Sequence, residues 1–223
     1  MLDNELIGLF GGAFDPIHNA HISIAEKCVE EIGLQKIIFI PTGSSPNNKK
    51  LTNYKHRLEM INLICNNPNF QVSDFEIREY INKKKISYTI DTLRFFSKQK
   101  KCTFFFILGS DAFSSINSWH KWKELLKYSH IIIIERANNK LYSDNMPTEV
   151  QAFFENNLTK DINDLKKYSK GYIFVLPIPM YKYSSSEVKS NLKNNTEIKS
   201  MLPKIVQEYI SSHKLYLDSG HIK

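Results

Sequence analysis

At 223 residues, with 42% hydrophobic and 24% charged side chains, the chain is long enough for one substantial core and ordinary in composition for a folded domain. Thirty lysines and arginines outnumber 23 aspartates and glutamates, giving a net charge of +7. The lysines are spread out rather than interleaved with aromatics, which argues against a nucleic-acid partner; the excess reads as a solvated surface or as mild attraction for small anionic substrates. Cys28, Cys65 and Cys102 form no Cys-x-x-Cys pair, which argues against a disulfide scaffold or a zinc site and fits a cytoplasmic location. Met1 to Glu5 is too polar for a signal peptide, and the longest apolar runs, Phe104 to Leu108 and Ile131 to Ile134, are far too short to span a membrane.

The first apolar run, Leu6 to Phe10, predicts a buried parallel strand. Gly11-Gly12-Ala13-Phe14-Asp15-Pro16-Ile17-His18-Asn19-Ala20-His21 follows directly, and then a helical pattern from about Ala20 to Ile32 that stops at Gly33. Glycine lets backbone approach a ligand closely, and a helix N-terminus favours anions. His18 and His21 are three apart, so one helical turn can aim both rings at one point. Taken singly, a capping and a core histidine would be the plain reading. Asp15 is either a turn-former before Pro16 or a residue near bound phosphate.

Further along, Lys36 to Pro41 predicts a second strand and Thr42 to Thr52 a polar loop, whose Lys49 and Lys50 read as solvated. Tyr54 to Cys65 predicts a helix capped by Asn53, with His56 assigned no role. Phe70 to Ser73 predicts a short strand. Tyr88 to Lys98 predicts a helix, with Ser87 or Thr89 as its cap, and Cys102 to Leu108 a central strand. At that strand's carboxyl end, Gly109 and Asp111 are placed for ligand, or Asp111 caps the next helix. Trp119 to Lys127 predicts a helix with Trp122 in the core, then strand His130 to Glu135 with Arg136 at its end. Arg136 to Ser169 is loop-rich with one or two short helices. Gly171 to Leu176 is the last strand. Ser186 to Leu192 and Leu202 to His213 close the chain as helices, with Ser184 and Glu187 at capping-box spacing. Strands alternating with helices make an α/β domain, a doubly wound parallel sheet over residues 1–217, with 218–223 as a frayed tail.

Gly-Gly-x-Phe-Asp-Pro-x-His-x-x-His, Ser87-Tyr88-Thr89-Ile90-Asp91-Thr92-Leu93, Gly109-Ser110-Asp111, Trp119 with Trp122, and Ser184-Ser185-Ser186-Glu187-Val188-Lys189 occur in that order. This series resembles the bacterial nicotinate-nucleotide adenylyltransferases of the His-x-Gly-His nucleotidyltransferase superfamily, over nearly the whole chain. Ala20 stands where that family has glycine, and Lys189 where it has arginine, keeping the charge without the planar fork.

The resemblance implies a Rossmann-like nucleotidyltransferase fold and adenylyl transfer from ATP to nicotinate mononucleotide, forming deamido-NAD and pyrophosphate. It implies His18 and His21 as catalytic groups, and Gly11, Gly12, Phe14, Asp15, Gly109, Asp111, Ser184, Ser185, Ser186 and Lys189 around ATP. Ser87, Tyr88, Thr89, Trp119 and Arg136 would take the mononucleotide, Trp119 stacking on its pyridine ring. Magnesium (Mg2+) is expected to arrive with ATP, since no His-x-x-x-His or carboxylate cluster forms a protein metal site. The rivals are the amide mononucleotide as substrate, the adenylyltransferase of coenzyme A synthesis, and a nucleotide-binding regulator of the same fold. The sequence leaves a homo-oligomer open.

Overall fold

The apolar runs predicted as strands all enter one sheet. The structure is a computed structural model that describes residues 4–44, 50–84, 86–99, 101–136, 146–178, 184–194, 196 and 198–217. In chain order its elements are β1 (Glu5–Gly12), α1 (Asn19–Ile32), β2 (Lys36–Pro41), α2 (Tyr54–Asn62), β3 (Phe70–Val72), α3 (Phe75–Lys83), α4 (Thr89–Phe96), β4 (Cys102–Gly109) and α5 (Ser110–Ser114). They continue through β5 (His130–Arg136), α6 (Thr148–Asn157), α7 (Ile162–Lys167), β6 (Ile173–Ile178), α8 (Ser185–Lys193) and α9 (Lys204–Ser212).

Among the described residues the strands form a six-stranded sheet in the order β3-β2-β1-β4-β5-β6, every pairing parallel. This is the doubly wound arrangement the sequence predicted. Order reverses between β1 and β4, and a crevice for ligand opens at the carboxyl ends of strands at such a point.

Side chains of each strand alternate between two buried layers, because a strand points successive residues to opposite faces. Phe105 and Ile107 join Phe39, Ile24, Cys28, Met60, Val188 and Val206 on the face carrying α1, α2, α8 and α9. Phe104, Phe106 and Leu108 join Ile38, Ile90, Leu93, Trp122 and Phe154 on the face carrying α4 and α6. Gly8 sits at the centre of the sheet, where a Cβ would fall 2.6 Å from Ile37 Cδ1 and 2.9 Å from Ile107 Cδ1.

Several local expectations are corrected. α2 ends at Asn62, because Ile64 and Cys65 bond three residues back, to Ile61 and Asn62, and so tighten the chain out of the α-helix. The predicted helix from Trp119 to Lys127 is instead two short 3-10 turns, Ile116–Ser118 and Trp122–Lys127, with Trp119 extended between them (φ −83°, ψ 142°). Three residues per turn put Trp122 and Leu125 on one face, where both are buried. α3 had no counterpart among the predicted elements; of its nine residues only Ile77 is fully buried. No helix among the described residues is long and apolar enough to cross a membrane. Lys49 and the tail 218–223 lie outside the described residues.

Candidate active site

β1 leaves the sheet at Gly12, and the chain turns through Ala13, Phe14 and a cis Asp15–Pro16 bond to reach α1. Phe14 adopts a left-handed φ of +46°, sparsely populated for an aromatic residue. Packing holds it there: its ring lies edge-on to Phe10 (5.6 Å), Phe39 (5.6 Å) and His21 (5.0 Å) and is fully buried. The space a Cβ of Gly12 would need is filled by this ring, at 3.2 Å, so the glycine serves the turn itself. A Cβ on Gly11 would meet Phe106 at an ordinary 3.8 Å, and one on Gly109 would meet nothing within 4 Å.

His18 is the N-cap of α1 and is buried. Its ring stacks on that of His21 with centroids 3.8 Å apart and planes 25° apart, so the spacing of three does bring the two imidazoles together. The His18 backbone N–H donates to His21 Nδ1 at 3.3 Å. That acceptor role puts the proton of the neutral His21 ring on Nε2, which becomes a directed hydrogen-bond donor.

Asp15 has 1% of its surface exposed and is more than a turn-former. Its carboxylate accepts from Lys189 Nζ (2.9 Å), Tyr216 Oη (2.8 Å) and the Thr52 N–H (3.3 Å). Burial works to raise its pKa, but the donors from Lys189, Thr52 and Tyr216 outweigh it and hold the carboxyl below its ordinary value. Lys189 is therefore committed to an ion pair rather than standing open to phosphate. Its ammonium also lies 5.9 Å from the centre of the Tyr216 ring.

Beside this pair is Arg57, equally buried, which donates to Ala13 O (2.7 Å), Thr42 O (2.8 Å) and Thr52 O (2.9 Å). One guanidinium thus ties the turn after β1 to the segment after β2. Arg57, Thr52 and Tyr216 were missed in the sequence. Arg57 reads there as one more charge on an amphipathic helix, and Tyr216 belongs to a segment with no periodic pattern. His56, given no role in the sequence, bonds Tyr209 Oη at 2.9 Å.

α8 meets α1 at the same edge. Ser184 caps α8, its hydroxyl accepting from the Glu187 N–H (3.3 Å) while the Glu187 carboxylate accepts from the Ser184 N–H (2.6 Å), the predicted capping box. Ser185 Oγ donates to Pro16 O at 3.1 Å, and Ser186 is exposed. Two helix N-termini, those of α1 and α8, are thereby fastened side by side, and each favours an anion.

α4 supplies a third N-terminus. The cap expected from Ser87 or Thr89 is not there: the N-cap is Tyr88, which makes no side-chain cap hydrogen bond. Ser87 instead faces a groove of about 460 Å³ between α3 and α4, its hydroxyl buried without a hydrogen-bond partner among the described residues. Thr89 is the first residue of the helix. Tyr88 is 39% exposed, and its ring lies 4.7 Å from the ring of His120, which was not among the predicted site residues. Trp119, half-buried, stands edge-on to Phe106 at 6.1 Å, not at a helix start as expected. Asp111 is exposed in the first turn of α5; the N-cap there is Gly109, so Asp111 is not the cap. Arg136 closes β5, and its side chain lies outside the described part of the chain.

A parallel sheet with paired imidazoles and clustered helix N-termini at its carboxyl edge has the build of a nucleotidyltransferase. A cytidylyltransferase-like family model matches residues 9–191. A Buchnera aphidicola protein named as a nicotinate-nucleotide adenylyltransferase is 38% identical, covering 95% of this chain and 97% of its own. A Serratia proteamaculans protein of the same name is 32% identical over 95% of both. Among solved structures, Plasmodium falciparum nicotinic acid mononucleotide adenylyltransferase complexed with NaAD superposes with a TM-score of 0.70 at 25% identity, over 95% of this chain and 97% of that one. The chain belongs to the cytidylyltransferase-like family and, within it, to the nicotinate-nucleotide adenylyltransferases.

Proposed function

We propose that the chain joins nicotinate mononucleotide to the adenylyl group of ATP, forming deamido-NAD and releasing pyrophosphate. The observation that carries this is the His18–His21 stack at the N-terminus of α1, with α8 fastened beside it. Transfer at phosphorus asks little bond-making of a protein; it asks for in-line placement and for stabilisation of charge on the phosphate. His21 Nε2 donates to the α-phosphate as charge builds, and His18 contacts the phosphates. Gly11, Gly12 and the turn carrying Phe14 and Asp15 lie against the nucleotide. Ser184, Ser185, Ser186 and the free N–H groups of α8 take the phosphate tail, and Gly109 and Asp111 the ribose side.

Lys189 reaches phosphate only by loosening its hold on Asp15, which then keeps Tyr216 and Thr52. With the Asp15 carboxylate already taken by three donors, magnesium travels with ATP and is held by its phosphates and water.

The acid form of the mononucleotide is favoured by α4. Its N-terminus has no side-chain cap among the described residues, and free N–H groups prefer a carboxylate to a neutral amide. Thr89, with Ser87 and Tyr88 beside it, takes that carboxylate, Trp119 stacks on the pyridine ring and Arg136 contacts the substrate. Free cysteines suit a cytoplasmic enzyme. The test is pyrophosphate release from ATP with nicotinate mononucleotide, run beside the amide. Turnover of the acid well above the amide is expected; equal or better use of the amide overturns the substrate assignment, and ATP binding without pyrophosphate release overturns the reaction.

A further inference from the structure

Glu76 is an acidic side chain folded inward behind the acid-recognising helix. It sits on α3, and its carboxylate accepts from Thr92 Oγ1 at 2.8 Å. Thr92 is 2% exposed and bonds through its backbone N–H to Tyr88 O, so it lies one turn inside the N-terminus of α4. The Thr42 hydroxyl, just beyond β2, is near enough to draw the Glu76 pKa down, while it donates to Ser44 O at 2.8 Å. Contact there is close: a Cβ on Gly43 would fall 2.5 Å from Glu76 O and 2.5 Å from Tyr80 Cβ. Glu76 is half-buried, and its carboxyl lies between the first turn of α4 and the carboxyl end of β2, with the uncharged Thr92 hydroxyl as its donor.

The charges on the surrounding elements are engaged with one another. On α4, Asp91 pairs with Arg94 (3.7 Å), which also pairs with Glu124 (3.0 Å). On α3, Lys83 pairs with Glu79, and Arg78 with Asp74 (3.0 Å). On β2, Lys36 pairs with Glu5 (2.7 Å) at the far end of the strand. Burial pushes the Glu76 carboxyl up to about 7, against the pull of the Thr92 and Thr42 hydroxyls.

We propose that Glu76 is a specificity-determining residue: its charge, set behind the N-terminus of α4, governs how strongly the site prefers the carboxylate of the acid substrate over the neutral amide. An ionised Glu76 repels the incoming carboxylate and cancels part of the helix-end field; a neutral Glu76 leaves that field intact. Acid preference therefore strengthens as pH falls through neutrality. The inference rests on the reading that α4 receives the pyridine carboxylate.

The test is the ratio of kcat/KM for nicotinate mononucleotide to that for nicotinamide mononucleotide, at saturating ATP, from pH 6 to 8.5. Both substrates carry the same ribose phosphate, so its titration cancels in the ratio. For the unaltered chain the ratio falls with rising pH by about threefold to tenfold, the effect of roughly half to one pKa unit of coupling. In Glu76→Gln the ratio stays flat at its low-pH value. Thr92→Val removes a donor to the ionised form, so the midpoint of the fall moves to higher pH; this second variant keeps the test sharp if Glu76→Gln folds poorly.

A flat ratio in the unaltered chain overturns the proposal. So does a fall that persists in Glu76→Gln and disappears in His120→Asn, which would assign it to the imidazole beside Tyr88. Turnover with a flat ratio defeats Glu76 alone; no turnover on either mononucleotide defeats the functional reading and this proposal with it.

Discussion

Asp15 and Lys189, 174 positions apart, meet at 2.9 Å across the junction of the turn after β1 and the start of α8. The Asp15 side chain is 2% exposed and that of Lys189 22%, so the pair is poorly screened. It joins the two helix N-termini on which the proposed triphosphate site depends, and a lysine suffices for this contact. A single ammonium meets one carboxylate oxygen well, and the bidentate fork is not called upon.

Removing that ammonium by Lys189→Met leaves Asp15 buried with two donors instead of three. We expect a loss of about 1–3 kcal/mol in denaturant unfolding at pH 7. The folded-state pKa of Asp15 is depressed below 3.8, so its contribution is present above that value and lost as pH falls through the folded one. The gap between the two proteins should accordingly be full at neutral pH and narrow in acid below about pH 4. A gap that is constant down to pH 2 would show that the pair contributes nothing through charge.

Arg57 should tolerate no replacement by lysine. Three carbonyls at 2.7–2.9 Å are served by separate guanidinium nitrogens, and one ammonium cannot reach all three. Arg57→Lys is expected to cost about 2–4 kcal/mol in stability and to raise KM for ATP more than it lowers kcat, because the turn carrying the histidines loses its anchor. Stability within 0.5 kcal/mol of the unaltered chain, a shift of roughly the size surface substitutions give, would refute the anchoring role.

How far these features were legible in the sequence depended on what kind of signal each carries. Strands buried on both faces write themselves as apolar runs, and β2 was bounded as predicted, Lys36–Pro41. The His18–His21 approach follows from helical spacing. Arg57 and Tyr216 carry no such signal, since their roles come largely from contacts over 15, 44 and 201 positions that only the closed fold creates. Trp119 misled because aromatic spacing fits an α-helix and a 3-10 turn alike, and packing against Phe106 decided between them. The empty cap of α4 was misjudged for a related reason: Ser87 and Thr89 are good capping residues, yet the chain enters the helix at Tyr88.

His130, at the start of β5 and far along the strand from its carboxyl end, should govern stability in mild acid. It is fully buried; Nε2–H donates to Tyr168 O (2.8 Å) and Nδ1 accepts from the Tyr172 N–H (3.2 Å), so the neutral ring has both nitrogens satisfied. Burial lowers its pKa below 6.5 despite those bonds. The unfolded chain then binds a proton near pH 6.5 that the folded chain refuses, so stability falls with pH, by up to about 1.4 kcal/mol per pH unit, until the depressed folded value is reached. Urea unfolding between pH 7.5 and 5 measures this. His130→Leu should be less stable at pH 7.5 yet show a shallower decline; an equal slope in both proteins would assign the decline elsewhere.

The tautomer of His21 gives the most direct test of the chemistry. With Nδ1 accepting from the His18 N–H, the proposed donation to phosphate falls to Nε2–H. Asparagine reproduces the Nδ1 position and glutamine the Nε2 position, so the two substitutions separate ring orientation from donation. His21→Ala and His21→Asn should each lower kcat by about 10²–10³, the usual loss for one well-aimed donor, with ATP binding largely kept. His21→Gln should retain more turnover than either, because its amide can still place an N–H near the proposed phosphate position. Single-turnover pyrophosphate release compares the three without interference from product release. If asparagine were the better substitute, the donor would be Nδ1, and the hydrogen bond that orients the ring here would have to break during reaction.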